Sequence, residues 1–244
     1  VAHRNVVELL ANTQPLFGFG RDDVWTLFHS YAFDFSVWEL WCALAHGGSV
    51  VVVDYLTSRS PEQFRELLIR ERVTVLNQTP SAFYQLAEAD RAAAAGDLAL
   101  RYVIFGGEAL DPRRLGRWYE RHGAGVELVN MYGITETTVH VSFLPLAPRD
   151  AQDAASVIGR AIPGLAAYVL DGRLHPAAVA VPGEIHVVGA QLSRGYLGRP
   201  GLTATRFVAN PYGAPGSRMY RSGDIGRWRA RAEEAVLEYA GRGD

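Results

Sequence analysis

The chain has 244 residues, enough for one large domain or two smaller ones. Hydrophobic residues make up 48% and charged residues 20%, the balance of a soluble globular protein, and the net charge of −2 offers no basic surface of the kind nucleic acid selects. With the single cysteine Cys42, no bilayer-length apolar run and no signal-peptide pattern at Val1-Ala2-His3-Arg4, the expectation is a cytoplasmic protein with no nucleic-acid and no membrane partner.

Asn5 to Ala11 is apolar at helical spacing, with Asn5 as its cap. Val24 to Phe28 reads as a strand ending at His29-Ser30, Val37 to Leu44 as a helix closed by Gly47-Gly48, and Ser49 to Val53 as a strand buried on both faces. Pro61 opens a helix through Arg70. Val73 to Leu76 is the next strand, Ser81 to Ala95 a helix, and Tyr102 to Phe105 a strand running into Gly106-Gly107. Asp111-Pro112 starts another helix, and Glu127 to Val129 is the strand after it. The alternation predicts an α/β fold, a mostly parallel sheet flanked by helices, over residues 1–147. A polar, alanine-rich connector covers Pro148 to Ala155. From 156 to 244 the strands are short and glycine-punctuated, with Ala167 to Leu170, Gly183 to Val188 and Leu237 to Tyr239 the clearest, which predicts a smaller all-β subdomain, a distorted barrel.

Ligands of open α/β sheets bind beyond the carboxyl ends of the strands. His29 to Ser36, Asn77 to Ser81, Gly106 to Glu108 and Asn130 to Glu136 all fall there. Each segment alone reads as ordinary loop chemistry.

Their combination is more specific. Phe33-Asp34-Phe35-Ser36, Asn130-Met131-Tyr132-Gly133-Ile134-Thr135-Glu136 and Gly183-Glu184-Ile185-His186-Val187-Val188-Gly189 occur in order, followed by Ser193-Arg194-Gly195-Tyr196-Leu197, Tyr220-Arg221-Ser222-Gly223-Asp224 and Gly241-Arg242-Gly243-Asp244. These six motifs resemble, over the whole chain, the adenylation domains of nonribosomal peptide synthetases, relatives of acyl-CoA synthetases and firefly luciferase. The resemblance implies an enzyme that joins a carboxylate to ATP as an acyl-adenylate and releases pyrophosphate. The acyl group then passes to the phosphopantetheine thiol of a carrier protein, in an assembly line that also holds condensation domains.

Residue by residue, the resemblance implies that Tyr132 stacks on adenine, whose other face lies against Gly107, Glu108 and Ala109, with Asn130 near the adenine amino group. Thr135 corresponds to an α-phosphate contact, Glu136 to the carboxylate that holds Mg²⁺, Asp224 to the carboxylate that binds the ribose hydroxyls and Arg242 to a nearby basic contact. Asp244 matches a hinge, and His29 a position that family members move between adenylation and thiolation. Hard oxygen donors suit phosphate-bound Mg²⁺, and a carboxylate suits a diol. Read without the family, Glu136 is a solvated charge, Asp224 a turn residue and His29 a strand-end histidine bonded to backbone. The family's phosphate loop is expected before Val1 and its C-terminal lid, with a lysine, after Asp244, so the chain reads as truncated at both ends. Ser222 stands for the usual threonine, and Ala230 to Ala235 replaces a tight Asp-Gly turn.

The family's amino-acid pocket maps to Asp34, Phe35, Trp38, Asn77, Ile104, Gly106, Met131, Val139 and His140. Asp34 matches the aspartate that pairs with an α-ammonium group, which favours an amino acid over the fatty or aryl acids of a CoA synthetase. The set resembles that of threonine-activating domains: small apolar groups for a methyl, and Asn77 and His140 for one hydroxyl. Serine stays open as a substrate. A binding module without catalysis of its own is the rival of another class.

Overall fold

The computed structural model describes residues 1–94, 96, 98–231 and 234–243. Helix α1 (His3–Phe17) is followed by β1 (Val24–Leu27), α2 (Phe35–Ala45), β2 (Ser49–Val52), the short α3 (Tyr55–Ser58), α4 (Pro61–Arg70), β3 (Val75–Gln78), α5 (Pro80–Ala92), β4 (Tyr102–Phe105), α6 (Gly116–His122) and β5 (Glu127–Asn130). The second half holds β6 (Ser142–Leu146), β7 (Val157–Ala161), β8 (Leu165–Leu170), β9 (Gly183–Gly189), α7 (Pro200–Arg206), β10 (Phe207–Ala209), β11 (Arg218–Arg231) and β12 (Glu234–Arg242). By its internal contacts the chain divides into two units that do not follow chain order. The α/β unit is Gly18–Asn130 with Pro145–Ala155; the β-rich unit is Val1–Phe17, Met131–Leu144 and the residues from Ser156 onward. Strand–helix alternation alone groups α1 and Met131–Leu144 with the first unit.

In the α/β unit the strands run parallel in the order β2-β1-β3-β4-β5. Helix boundaries follow local chemistry. Ser60 caps α4 by accepting from Gln63 N, Thr79 caps α5 by accepting from Ala82 N, and each helix has Pro in its first turn, where the missing N–H costs nothing. Leu76, Val103 and Leu128, in register across β3, β4 and β5, enter one core with Phe64, Leu68, Phe83 and Trp118. Around α2 an aromatic cluster joins Phe19, Trp25 and Trp38, with centroid separations of 4.6 to 5.8 Å. One expectation is corrected here. β2 is half exposed rather than buried on both faces, because it ends the sheet and pairs only with β1 among the described residues.

In the β-rich unit the order is β6-β7-β12-β11-β9-β8, antiparallel throughout, with β10 on β11. It is an open sheet, so the barrel expectation fails in one respect: no ladder joins β6 to β8 among the described residues. The β11–β12 ladder continues to Ala230↔Ala235 and Arg231↔Glu234, so these four residues of the charged stretch belong to the hairpin strands, while Ala232 and Glu233 lie outside the described residues. Helix α1 is longer than expected, and Asn5 sits inside it rather than capping it. The Asn5 side chain accepts from Ala2 N at 2.7 Å and donates to the carbonyls of Ala190 and Leu192 at 3.0 and 3.1 Å.

Candidate active site

In the β-rich unit, the Tyr132 hydroxyl donates to Asp224 Oδ2 at 2.6 Å. Arg242 Nη1 donates to the other carboxylate oxygen at 3.2 Å, and Asp224 and Arg242 are register partners across β11 and β12. The Asp224 backbone N–H is held by Ser222 Oγ at 3.0 Å, and that hydroxyl donates to Ile185 O at 2.7 Å. Serine's hydroxyl therefore makes both bonds that a threonine there could make. Burial first, and the adjacent Asp224 charge second, push the Tyr132 phenol well above its ordinary value and keep it a donor. Asp224, though almost fully buried, thus meets one neutral and one cationic donor.

The loop after Tyr132 carries the other polar groups. Glu136 accepts from the Tyr196 hydroxyl, which lies 3.0 Å from the Tyr220 hydroxyl. Burial, and secondarily the bond to Glu136, raise the Tyr196 phenol. Ser193 N donates to Glu136 O at 2.8 Å and fixes the loop from its backbone side. Thr135 is exposed beside it. No cluster of three or more His, Cys, Asp or Glu exists among the described residues. One carboxylate and one hydroxyl do not make a metal cage, but they fit a Mg²⁺ that keeps its waters and is carried mainly by substrate phosphates.

Beyond Glu136 the chain turns sharply. Thr138 and Val139 both have positive φ, 64° and 63°, and His140 N donates to Thr138 O at 2.8 Å. A turn with a β-branched residue at its centre and φ positive is strained, at about 1–3 kcal/mol per residue. Gly133 makes room for it: a Cβ there would lie 1.8 Å from Val139 O. Met131, Val139 and His140 are buried, and burial lowers the His140 imidazole to about 3, so it is neutral at physiological pH.

In the α/β unit, Asn77 and Ile104 are register partners on β3 and β4, both fully buried. Trp38 Nε1 donates to Asn77 Oδ1 at 2.9 Å, while the Asn77 amide nitrogen is buried with no partner among the described residues. A buried unpaired donor is costly unless something accepts from it. Asp34 precedes α2, yet its carboxylate makes no cap bond to that helix. Phe35 is buried and stacks on His29 at 4.7 Å. His29 Nδ1 lies 2.9 Å from Glu39 Oε1, and Glu39 Oε2 accepts from the backbone N–H groups of Phe28 and His29. Glu39 is fully buried, and desolvation raises its carboxyl despite these bonds. Glu108 accepts from both Ser81 N and Ser81 Oγ. Gly107 has φ +81°, and a Cβ there would meet the Phe33 ring at 2.9 Å. Gly106 directly follows β4, Asn130 is the last residue of β5, and Ala109 lies in the loop after β4. His29, Gln78, Thr79 and Ser81 border a cleft of about 770 Å³. Asp244 lies outside the described residues.

Sequence reading missed Tyr196, Tyr220, Glu39 and Gln191. The two tyrosines stood inside recognised motifs, but only the folded sheet brings them to Glu136.

Residues 1–197 match the family model of AMP-binding enzymes, and the chain belongs to that family. Within it, the relatives are synthetases of nonribosomal peptides, and the chain is of their adenylation-domain type. It is 56% identical to the dimodular nonribosomal peptide synthase of Bacillus subtilis (strain 168), over all of this chain and 10% of that protein. It is 49% identical to syringomycin synthase SyrB1 of Pseudomonas syringae pv. syringae, over all of this chain and 39% of that protein. The chain thus spans between a tenth and two fifths of these relatives. Among solved structures it is similar to the nonribosomal peptide synthetase FmoA3 in its α-methyl-L-serine-AMP-bound form, with TM-score 0.91, 30% identity, and 100% and 27% of the two chains covered. It is also similar to the Vibrio cholerae adenylation domain AlmE in complex with glycyl-adenosine-5'-phosphate, with TM-score 0.84, 26% identity, and 100% and 45% covered.

Proposed function

We propose that the chain is the part of an adenylation domain that activates L-threonine. A carboxylate oxygen of the amino acid attacks the α-phosphorus of ATP, the bond to the bridging oxygen breaks, and pyrophosphate leaves as threonyl-AMP forms. The acyl group then passes to the phosphopantetheine thiol of a carrier domain, with loss of AMP. Asp34 pairs with the ammonium group. Tyr132, Asp224 and Arg242 serve the nucleoside, with Gly107, Glu108, Ala109 and Asn130; Thr135 and Glu136 serve the phosphate and Mg²⁺, which neutralises phosphate charge when bound.

The observation that carries threonine is Asn77: a wholly buried amide whose nitrogen is unpaired, beside Trp38 and Ile104. Valine or isoleucine would leave that donor unsatisfied, whereas a β-hydroxyl accepts from it. The resemblance assigns to the same pocket His140, which is neutral and buried, and the apolar Ile104, Met131 and Val139.

ATP–pyrophosphate exchange by the complete domain, screened over the twenty amino acids with fatty and aryl acids as controls, tests the reading. Threonine is expected to lead. A stronger response to valine, or to an acid without an ammonium group, would overturn it.

A further inference from the structure

We infer that Gln191 is a specificity-positioning residue: its side chain clamps the strained turn Thr137–His140 and thereby sets where Val139 and His140 stand. The inference deepens the threonine reading and rests on it only for the choice of substrate.

Gln191 is fully buried and far in sequence from the turn. Its Nε2 donates to His140 O at 3.1 Å and, at 3.4 Å, to Thr137 O and Thr138 O. In return, Thr138 Oγ1 donates to Gln191 O at 2.7 Å. The amide orientation is dictated by chemistry, since three surrounding carbonyls can only accept, while Oε1 accepts from Asn12 Nδ2 at 3.1 Å. Two turns of α1 separate Asn12 from Asn5, which grips the carbonyls of Ala190 and Leu192 on either side of Gln191. The clamp is therefore anchored by a helix.

The turn needs it. Thr138 and Val139 are consecutive β-branched residues at positive φ, a conformation that persists only when surrounding contacts over-determine it. Gln191 supplies those contacts to the backbone, through the carbonyls of Thr137, Thr138 and His140. The shortest of these three bonds is to His140 O, at the far end of the turn from Glu136, so the effect of Gln191 should be larger on selection among amino acids than on ATP.

The test is exchange kinetics on the complete domain with Gln191→Met, which keeps the volume and removes the amide, and with Thr138→Val, which keeps the β-branch and removes the bond to Gln191 O. Small displacements of reacting groups cost up to about 100-fold, so Gln191→Met is expected to compress the threonine-to-valine ratio of kcat/KM by roughly 10- to 100-fold. Thr138→Val should compress it less, and KM for ATP should change less than that ratio in both variants. An unchanged ratio in a folded Gln191→Met protein overturns the inference, as does a uniform loss with every amino acid. If Gln191→Met does not fold, Thr138→Val alone decides by the same criterion. If the wild type prefers an amino acid other than threonine, the threonine reading fails. The clamp is then judged on the ratio between that amino acid and its nearest competitor.

Discussion

The Tyr132 hydroxyl donates to Asp224 Oδ2 at 2.6 Å while Arg242 takes the other oxygen at 3.2 Å, so one carboxylate ties an aromatic ring to a cation across two strands. Asp224→Asn removes the charge from both contacts. Charge-assisted bonds are worth about 1.5–3 kcal/mol, so KM for ATP should rise roughly 10- to 150-fold. Tyr132→Phe keeps the ring and should cost only a few-fold. Because the residues touch, the double variant should lose less than the product of the two. Multiplicative losses in exchange kinetics would mean that the pair does not act on ATP together.

Glu136 and Tyr196 give a graded test of the Mg²⁺ assignment. An amide is a poor ligand for a hard divalent ion, so Glu136→Gln should nearly abolish exchange. Tyr196→Phe removes only the hydroxyl that orients the carboxylate. Outer-shell partners of this kind change metal affinity by roughly 10- to 100-fold, and the Mg²⁺ concentration for half-maximal rate should move accordingly. A magnesium titration of Tyr196→Phe that overlays the wild type would count against Glu136 as the metal carboxylate.

His140 links selectivity to pH. Replacing it by Leu should lower the threonine-to-valine ratio by roughly 5- to 150-fold, the loss of one buried hydrogen bond. Its pKa, about 3 when folded against 6.5 as the ordinary value, means the unfolded chain binds the extra proton first as pH falls. Stability from this residue is complete above pH 6.5 and drains away toward pH 3. The Tm of His140→Leu should therefore fall less steeply than that of wild type across this window. Parallel curves in thermal melts would show that His140 is not the group responsible.

Asn77 and Trp38 form a buried pair that can be taken apart in two ways. Asn77→Leu strands the Trp38 N–H and should destabilise the domain by about 1–3 kcal/mol in urea unfolding. Adding Trp38→Phe removes the stranded donor, so the double variant should recover part of that loss apart from the cavity it opens. A double variant weaker by the full sum would show that the pair contributes packing and no hydrogen bond.

Much of this architecture could be read from residues in order. Pro61 to Arg70 and Tyr102 to Phe105 coincide with their elements, because capping, proline placement and β-branched runs act over a few neighbours. Local periodicity does not say where a strand lies in its sheet, so β2 looked interior and is an edge. Asn5 has a cap's chemistry, yet its partners Ala190 and Leu192 lie at the other end of the chain.

The sequence by itself determined the motifs, their order and the chemical types at Asp34, Asn77, Tyr132, Glu136 and Asp224. Those follow from residue identity alone. The tertiary structure decided which groups these residues meet: Asp224 meets Tyr132, Glu136 meets Tyr196, and the turn at Val139 meets Gln191. Each of these contacts spans more than fifty residues. Hydrogen bonds of that kind form only when a sheet has closed the intervening chain, and no local propensity encodes their geometry.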